Sequence, residues 1–147
     1  MASPFFVKGS VKTMAYPKSV LEMKNELGDL YEIKNIDLEC CLYRNLRNGF
    51  DVEISGVYSR KQKKNRKITI WLWWIGSRQN KTNIDAQVIT HVSQIPYDAE
   101  AVHTVTEMLY AYSNKLLAEG RNVNDIINIS PDSFTYNDFI SQGQNHS

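Results

Sequence analysis

The chain has 147 residues, 42% of them apolar, with a formal charge of +1, which fits one globular domain and excludes a polybasic or low-complexity chain. The longest apolar run, Ile70 to Ile75, is too short to span a bilayer as a helix, so no membrane partner is expected. Met1 to Ser10 lacks an apolar core of signal-peptide length, and the expectation is a soluble protein made in the cytoplasm.

In chain order, Phe5 to Met14 reads as an edge hairpin turning at Gly9-Ser10 and broken at Tyr16-Pro17. Val20, Met23 and Leu27 have helical spacing in a short piece, and Leu30 to Ile33 is a candidate strand. Leu38 to Tyr43 is a stronger strand, closed by the turn signal Asn48-Gly49. Cys40 and Cys41 are adjacent, so on a strand they point to opposite faces. No disulfide between them is expected, a reducing compartment fits, and no metal-ligand spacing is present.

The stretch from Phe50 to Gly120 organises the rest. Val52, Ile54 and Tyr58 share one face of a strand and Asp51, Glu53 and Ser55 the other, with Val57 as an apolar exception. Arg60 to Lys67 is a solvated hairpin tip with six cations: Arg60, Lys61, Lys63, Lys64, Arg66 and Lys67. Ile68, Ile70 and Leu72 then alternate with Thr69, Trp71 and Trp73, a pattern suited to a pleated surface. After a polar connection, Gly76 to Asn83, a third strand alternates Ile84, Ala86, Val88, Thr90 and Val92 with Asp85, Gln87, Ile89, His91 and Ser93. Pro96 stops it. Asp98 is an N-cap, Glu100 puts negative charge in the first helical turn, and Gly120 is a natural C′ residue. Val102, Val105, Leu109, Tyr112 and Leu116 form the apolar stripe of the helix between them. A second short helix, Asn124 to Ile129, ends at Ser130-Pro131. The domain is thus residues 1–130. Residues 131–147, with Phe134, Tyr136 and Phe139, form a tail that either frays or docks its aromatics on a neighbouring subunit.

The fold class is α+β: an antiparallel β-meander of about five to seven strands, including the N-terminal hairpin, followed by two C-terminal helices. No catalytic constellation, phosphate loop or metalloprotease motif is present, so no enzyme, cofactor or metal is expected. His91 and His103 read as partly exposed or satisfied histidines. The basic tip is the sharpest functional feature. Its cations can neutralise phosphates, and Trp71 and Trp73 beside it can stack bases. The competing reading is a solubilising tip, with the tryptophans in a core or an interface.

Several runs together resemble the coat proteins of single-stranded RNA bacteriophages, the leviviruses. These are Val52 to Val57 with small residues at Ser55 and Gly56, Asn65-Arg66-Lys67 before Ile68-Thr69-Ile70, and Ala86-Gln87-Val88 through Val92-Ser93-Gln94 to Asp98-Ala99-Glu100. Leu116-Leu117 with Gly120, then Ile126-Ile127, resembles that family's helix pair. The resemblance covers about Phe50 to Ser130 and implies an interlocked homodimer in which each helix pair covers the partner's sheet. Val102, Val105, Leu109, Tyr112 and Leu116 would form that interface. It also implies an icosahedral shell and packaged single-stranded RNA. Expected RNA contacts are Ser55, Arg60, Lys61, Lys63, Lys64, Asn65, Arg66, Lys67, Thr69, Trp71, Trp73 and Gln87. The family's stacking tyrosine is absent, with Asn83 in its place. Repression of translation through an RNA hairpin, synthesis in a bacterial host and a final location in the virion follow from the same resemblance. Two alternatives stay open: a helix that folds back on its own sheet, and a non-capsid nucleic-acid-binding or matrix-like module of the same layout. A plain interaction domain, its tryptophans in a protein interface, is a third.

Overall fold

The structure, a computed structural model, describes residues 16–36, 38–58, 65–76, 86–120, 126 and 131–145. The expected N-terminal hairpin, the tip cations Arg60, Lys61, Lys63 and Lys64, and most of the second helix lie outside those residues. Helix α1 (Lys18–Leu27) opens after Pro17, whose carbonyl accepts from the Val20 and Leu21 amides at 3.1 Å each. It buries Val20 and Met23, two members of the helical spacing noted in the sequence.

Six strands follow in spatial order: β1 (Glu32–Ile36), β2 (Glu39–Asn45), β3 (Phe50–Ser55), β4 (Lys67–Trp74), β5 (Gln87–Pro96) and β6 (Asp132–Thr135). The first five pair antiparallel, as a meander does. Helix α2 (Ala99–Glu119) leaves β5, and the chain returns to pair β6 parallel to β5. The sheet is therefore mixed, not purely antiparallel. A parallel partner needs a crossover, and α2 lies in it. Residues 132–145, expected as a frayed or docking tail, form β6 and a closing helix α3 (Tyr136–Asn145) on the chain's own sheet. Thr90 Oγ1 donates to the Asp132 carbonyl at 2.8 Å, and Phe139 is buried against Phe134, ring centroids 5.4 Å apart.

One face of the sheet is packed. Val52, Ile54, Ile68, Ile70, Leu72, Val92 and Ile95 are fully buried together with Val102, Val105 and Leu109 of α2. Each such side chain contributes about 1.5–3 kcal/mol relative to exposure. Asp98 caps α2 as expected, its carboxylate accepting from the Ala101 amide at 3.0 Å. Gly120 ends it differently from the expectation. Its φ of −69° is not left-handed, and glycine is required because a Cβ would sit 2.7 Å from the Leu116 carbonyl. Ile126, from the expected second helix, is helical and buried in the same core.

Two irregularities shift the alternation read from sequence. After Ser55 the chain turns at Gly56, φ +86°, so Val57 becomes fully buried and Tyr58 is left exposed, the reverse of the expected assignment. Strand β5 carries two bulges. Leu72 pairs with Thr90 but Trp73 with Val88, and Ile68 pairs with Ile95 but Ile70 with Val92. Gln94, at φ +61°, lies within the second. Each bulge adds a residue and changes the phase. Ile89 and Ile95 therefore enter the core, while Val88 is only half-buried.

Helix α2 lies on its own sheet. Beyond its apolar stripe it is tied by polar contacts. Arg44 on β2 meets Glu107 at 2.7 Å, the Tyr31 hydroxyl meets His103 Nδ1 at 2.9 Å, and Asn48 Nδ2 donates to Ser113 Oγ and Asn114 Oδ1 at 2.9 Å each. Burial opposes the charge on Arg44, but hydrogen bonds to Glu107 and Tyr31 outweigh it and raise its pKa. Burial likewise raises the Tyr31 pKa, against hydrogen bonds from Thr106 and Arg44 that lower it. Val102, Val105 and Leu109, expected to face a partner, are thus buried within one chain, and Tyr112 and Leu116 are half-buried beside them.

Candidate nucleic-acid interface

The opposite face of the sheet carries no helix among the described residues. Directly opposed residues on antiparallel strands share a face with Cβ atoms about 4.5–5.5 Å apart. Glu53 pairs with Trp71, and Trp71 with His91, so the three form a row across β3, β4 and β5. The Trp71 and His91 rings lie 4.6 Å apart at 34°. Trp71 Nε1 donates to Ser55 Oγ at 3.2 Å, and Ser55 Oγ donates on to the Thr69 carbonyl at 3.3 Å. The chain of bonds fixes the indole on the pleat. Ser55, Thr69 and Trp71 from the expected contacts are therefore brought together, and all are half-buried. His91 completes the stack and was missed, because strand register is not legible in an isolated sequence.

Other expected contacts are placed elsewhere. Gln87 pairs with Trp74, which is buried against Phe50 with ring centroids 4.9 Å apart, so Gln87 belongs to the packed side. The bulge at Ile89 reverses its phase. Arg66 sits over the Tyr97 ring, 5.0 Å from its centroid, and Tyr97 in turn donates to the Val57 carbonyl at 3.0 Å. Asn65 and Lys67 are exposed. Trp73 shares the face of Trp71, but its Nε1 is buried with no hydrogen-bond partner among the described residues. An orphaned donor costs about 1–3 kcal/mol. The polar edge of Trp73 is thus withdrawn from solvent.

The face is electrostatically mixed. Glu53 lies in its centre and Asp51 opposes Trp73, while Lys67 lies at the β3–β4 hairpin end and Lys34 on β1 holds its Nζ 3.7 Å from the centroid of the Tyr43 ring on β2. Cys41, Tyr43 and Asp51 are buried on this side, so the reachable patch is centred on Glu53, Ser55, Trp71 and His91. A carboxylate at the centre repels phosphate, and cations at the margin attract it.

Among the described residues no group of three or more histidine, cysteine or acidic side chains could hold a metal ion, and no helix is long and apolar enough to cross a membrane. No family model matches the chain, and no curated protein or solved structure matches it significantly.

Proposed function

We propose that the chain is a coat protein of the RNA-bacteriophage kind, which assembles with its own copies into an icosahedral shell and holds single-stranded RNA against the helix-free face of its sheet. The observation that carries the RNA part is the Trp71–His91 stack, held in place by Ser55, on the face opposite the helices. A sheet sealed on one side and aromatic on the other has a base-stacking surface, and stacking tolerates many sequences because every base has a π-face. The coat reading rests on the ordered sequence runs from Val52 to Ile127 and carries with it synthesis in a bacterial host and, through a bound hairpin, translational repression. The basic tip from Arg60 to Lys67 supplies phosphate neutralisation.

A second reading has an observation of its own. Helix α2 closes the core within one chain, so a folded monomer needs no partner to bury that face, which favours a non-capsid RNA-binding module. Expression in bacteria followed by electron microscopy and sedimentation separates the two. Uniform particles with nuclease-resistant RNA support the coat protein, and small RNA-bound oligomers or monomers support the module. In either form Trp71→Ala is expected to lower RNA affinity by about ten- to hundredfold while the circular dichroism spectrum is kept. An unchanged affinity would leave the stack as a structural pair and remove the RNA reading.

A further inference from the structure

We infer that strand β1 is a self-pairing edge, through which two copies of the chain join antiparallel, about a twofold axis at Ile33, into one continuous sheet. Strand β1 (Glu32–Ile36) ends the sheet and pairs with β2 on one side only. Alternate residues of an antiparallel strand turn their N–H and C=O to opposite sides. The outer side of β1 therefore presents backbone groups without a strand partner among the described residues, the template on which a further strand adds. Exposed leucines flank it. Leu30, in the turn before β1, is 60% exposed, and Leu38, in the turn after it, is fully exposed at φ +67°. The pairing serves both readings above and needs no RNA.

Charge selects the second copy as the occupant and fixes the register. A twofold contact uses the same patch on both partners, and directly opposed residues share a face, so the axis passes through a residue. Centred on Glu32 or on Lys34, the pairing opposes like charges, and centred on Asn35 it pairs neither charge. Centred on Ile33, it sets Glu32 of each copy against Lys34 of the other. Opposite charges in direct opposition stabilise a strand pair, and like charges destabilise it. Glu32 is exposed and makes no hydrogen bond or ion pair among the described residues. Lys34 holds its Nζ 3.7 Å from the Tyr43 ring centroid, and an ammonium has three N–H donors, enough for the ring and a carboxylate together. Ile33, half-buried and paired with the fully buried Leu42, meets Ile33 of the other copy and extends the packed side across the join. Ile36 of each copy comes beside the turn that carries Leu30 of the other, which gives that exposed leucine an apolar neighbour.

The test is sedimentation of the full chain across a range of concentrations. The wild type is expected to form a dimer that dissociates at micromolar concentration, because a strand of five residues buries little area. Glu32→Lys and Lys34→Glu each place like charges opposite one another on both sides of the axis, and each is expected to weaken association about tenfold or more. An equimolar mixture of the two variants is expected to regain it, because a copy with lysine at both positions then faces a copy with glutamate at both. The double variant Glu32→Lys/Lys34→Glu is expected to match the wild type. Recovery in the mixture belongs to this register alone, since a folding defect in one chain is not repaired by another. If the chain builds particles, the same pattern is expected in their yield, lost in each single variant and regained in the mixture. A wild type that is monomeric at every concentration overturns the inference, whichever other segment or partner then takes the edge. So does association that the charge variants leave unchanged. The RNA reading is tested separately by Trp71→Ala, so the failure of one leaves the other standing. Should a charge variant fail to fold, Leu30→Glu, at an exposed position, is read in its place, and unchanged association there overturns the inference equally.

Discussion

The two faces of the sheet are built from the same strands and obey different rules. On the packed side, β3 and β4 contribute Val52, Ile54, Ile70 and Leu72, each with no exposure, and the helix above fills the remaining space. On the other side, one residue along, the same strands carry Glu53, Ser55, Thr69 and Trp71, all partly open to solvent. The first face is redundant, since many side chains bury similar area and share the load. The second is not, because its aromatic stack is one pair of rings. Stability is therefore distributed over the molecule, and the proposed recognition is local.

That contrast can be broken most severely from the packed side. Leu109→Asp places an unpaired carboxylate where the leucine is fully buried, and the expected loss, several kcal/mol, is on the order of the whole stability of a domain this size. Urea titration by circular dichroism should find little folded protein. A smaller break concerns how α2 is held. Arg44→Ala removes the guanidinium that meets Glu107 at 2.7 Å, but Glu107 is 44% exposed and regains water, so the expected cost is about 1–3 kcal/mol. A shift of the urea midpoint at unchanged slope is the signature. The smallest effect compares neighbouring tryptophans. Trp73→Phe gives up indole area but removes an orphaned N–H, and a net change below about 1 kcal/mol is expected. Trp74→Phe, in the core against Phe50, should cost about 1–3 kcal/mol. Equal costs for the two would mean that the faces differ less than their burial says.

Much of the packed face was legible because β3 and β4 alternate without interruption and α2 carries a clean stripe between Asp98 and Gly120. Strand β5 was misread in phase. Bulges at Ile89 and Gln94 insert residues that no local pattern announces, and so Val88 and Ile89 exchange faces and Gln87 leaves the candidate site. Strand β6 was not legible at all. It has four residues, three of them exposed, and its partner β5 is separated from it by an entire helix. At the site, alternation put Ser55, Thr69 and Trp71 on the polar faces of their strands, and the coat-protein resemblance singled them out as contacts. His91 and the setting of Glu53 required register, which depends on pairing between distant strands. Arg66 was drawn off by Tyr97, a contact that local charge counting does not foresee.

The parallel pairing of β6 on β5 also sets an order in time. The residues that cover the β5 edge follow α2 in the chain, so β1 to β5 and the helix are all synthesised before residue 135 leaves the ribosome. Until then the row of β5 amides and carbonyls on that side lacks its β6 partner, and an open strand edge is a template for a strand of another chain. Nascent chains on one messenger are close neighbours, and domains begin to fold while synthesis continues. Any pairing between copies through β5 thus competes with β6 only during that interval, and a chain shortened before Asp132 would hold the window open permanently.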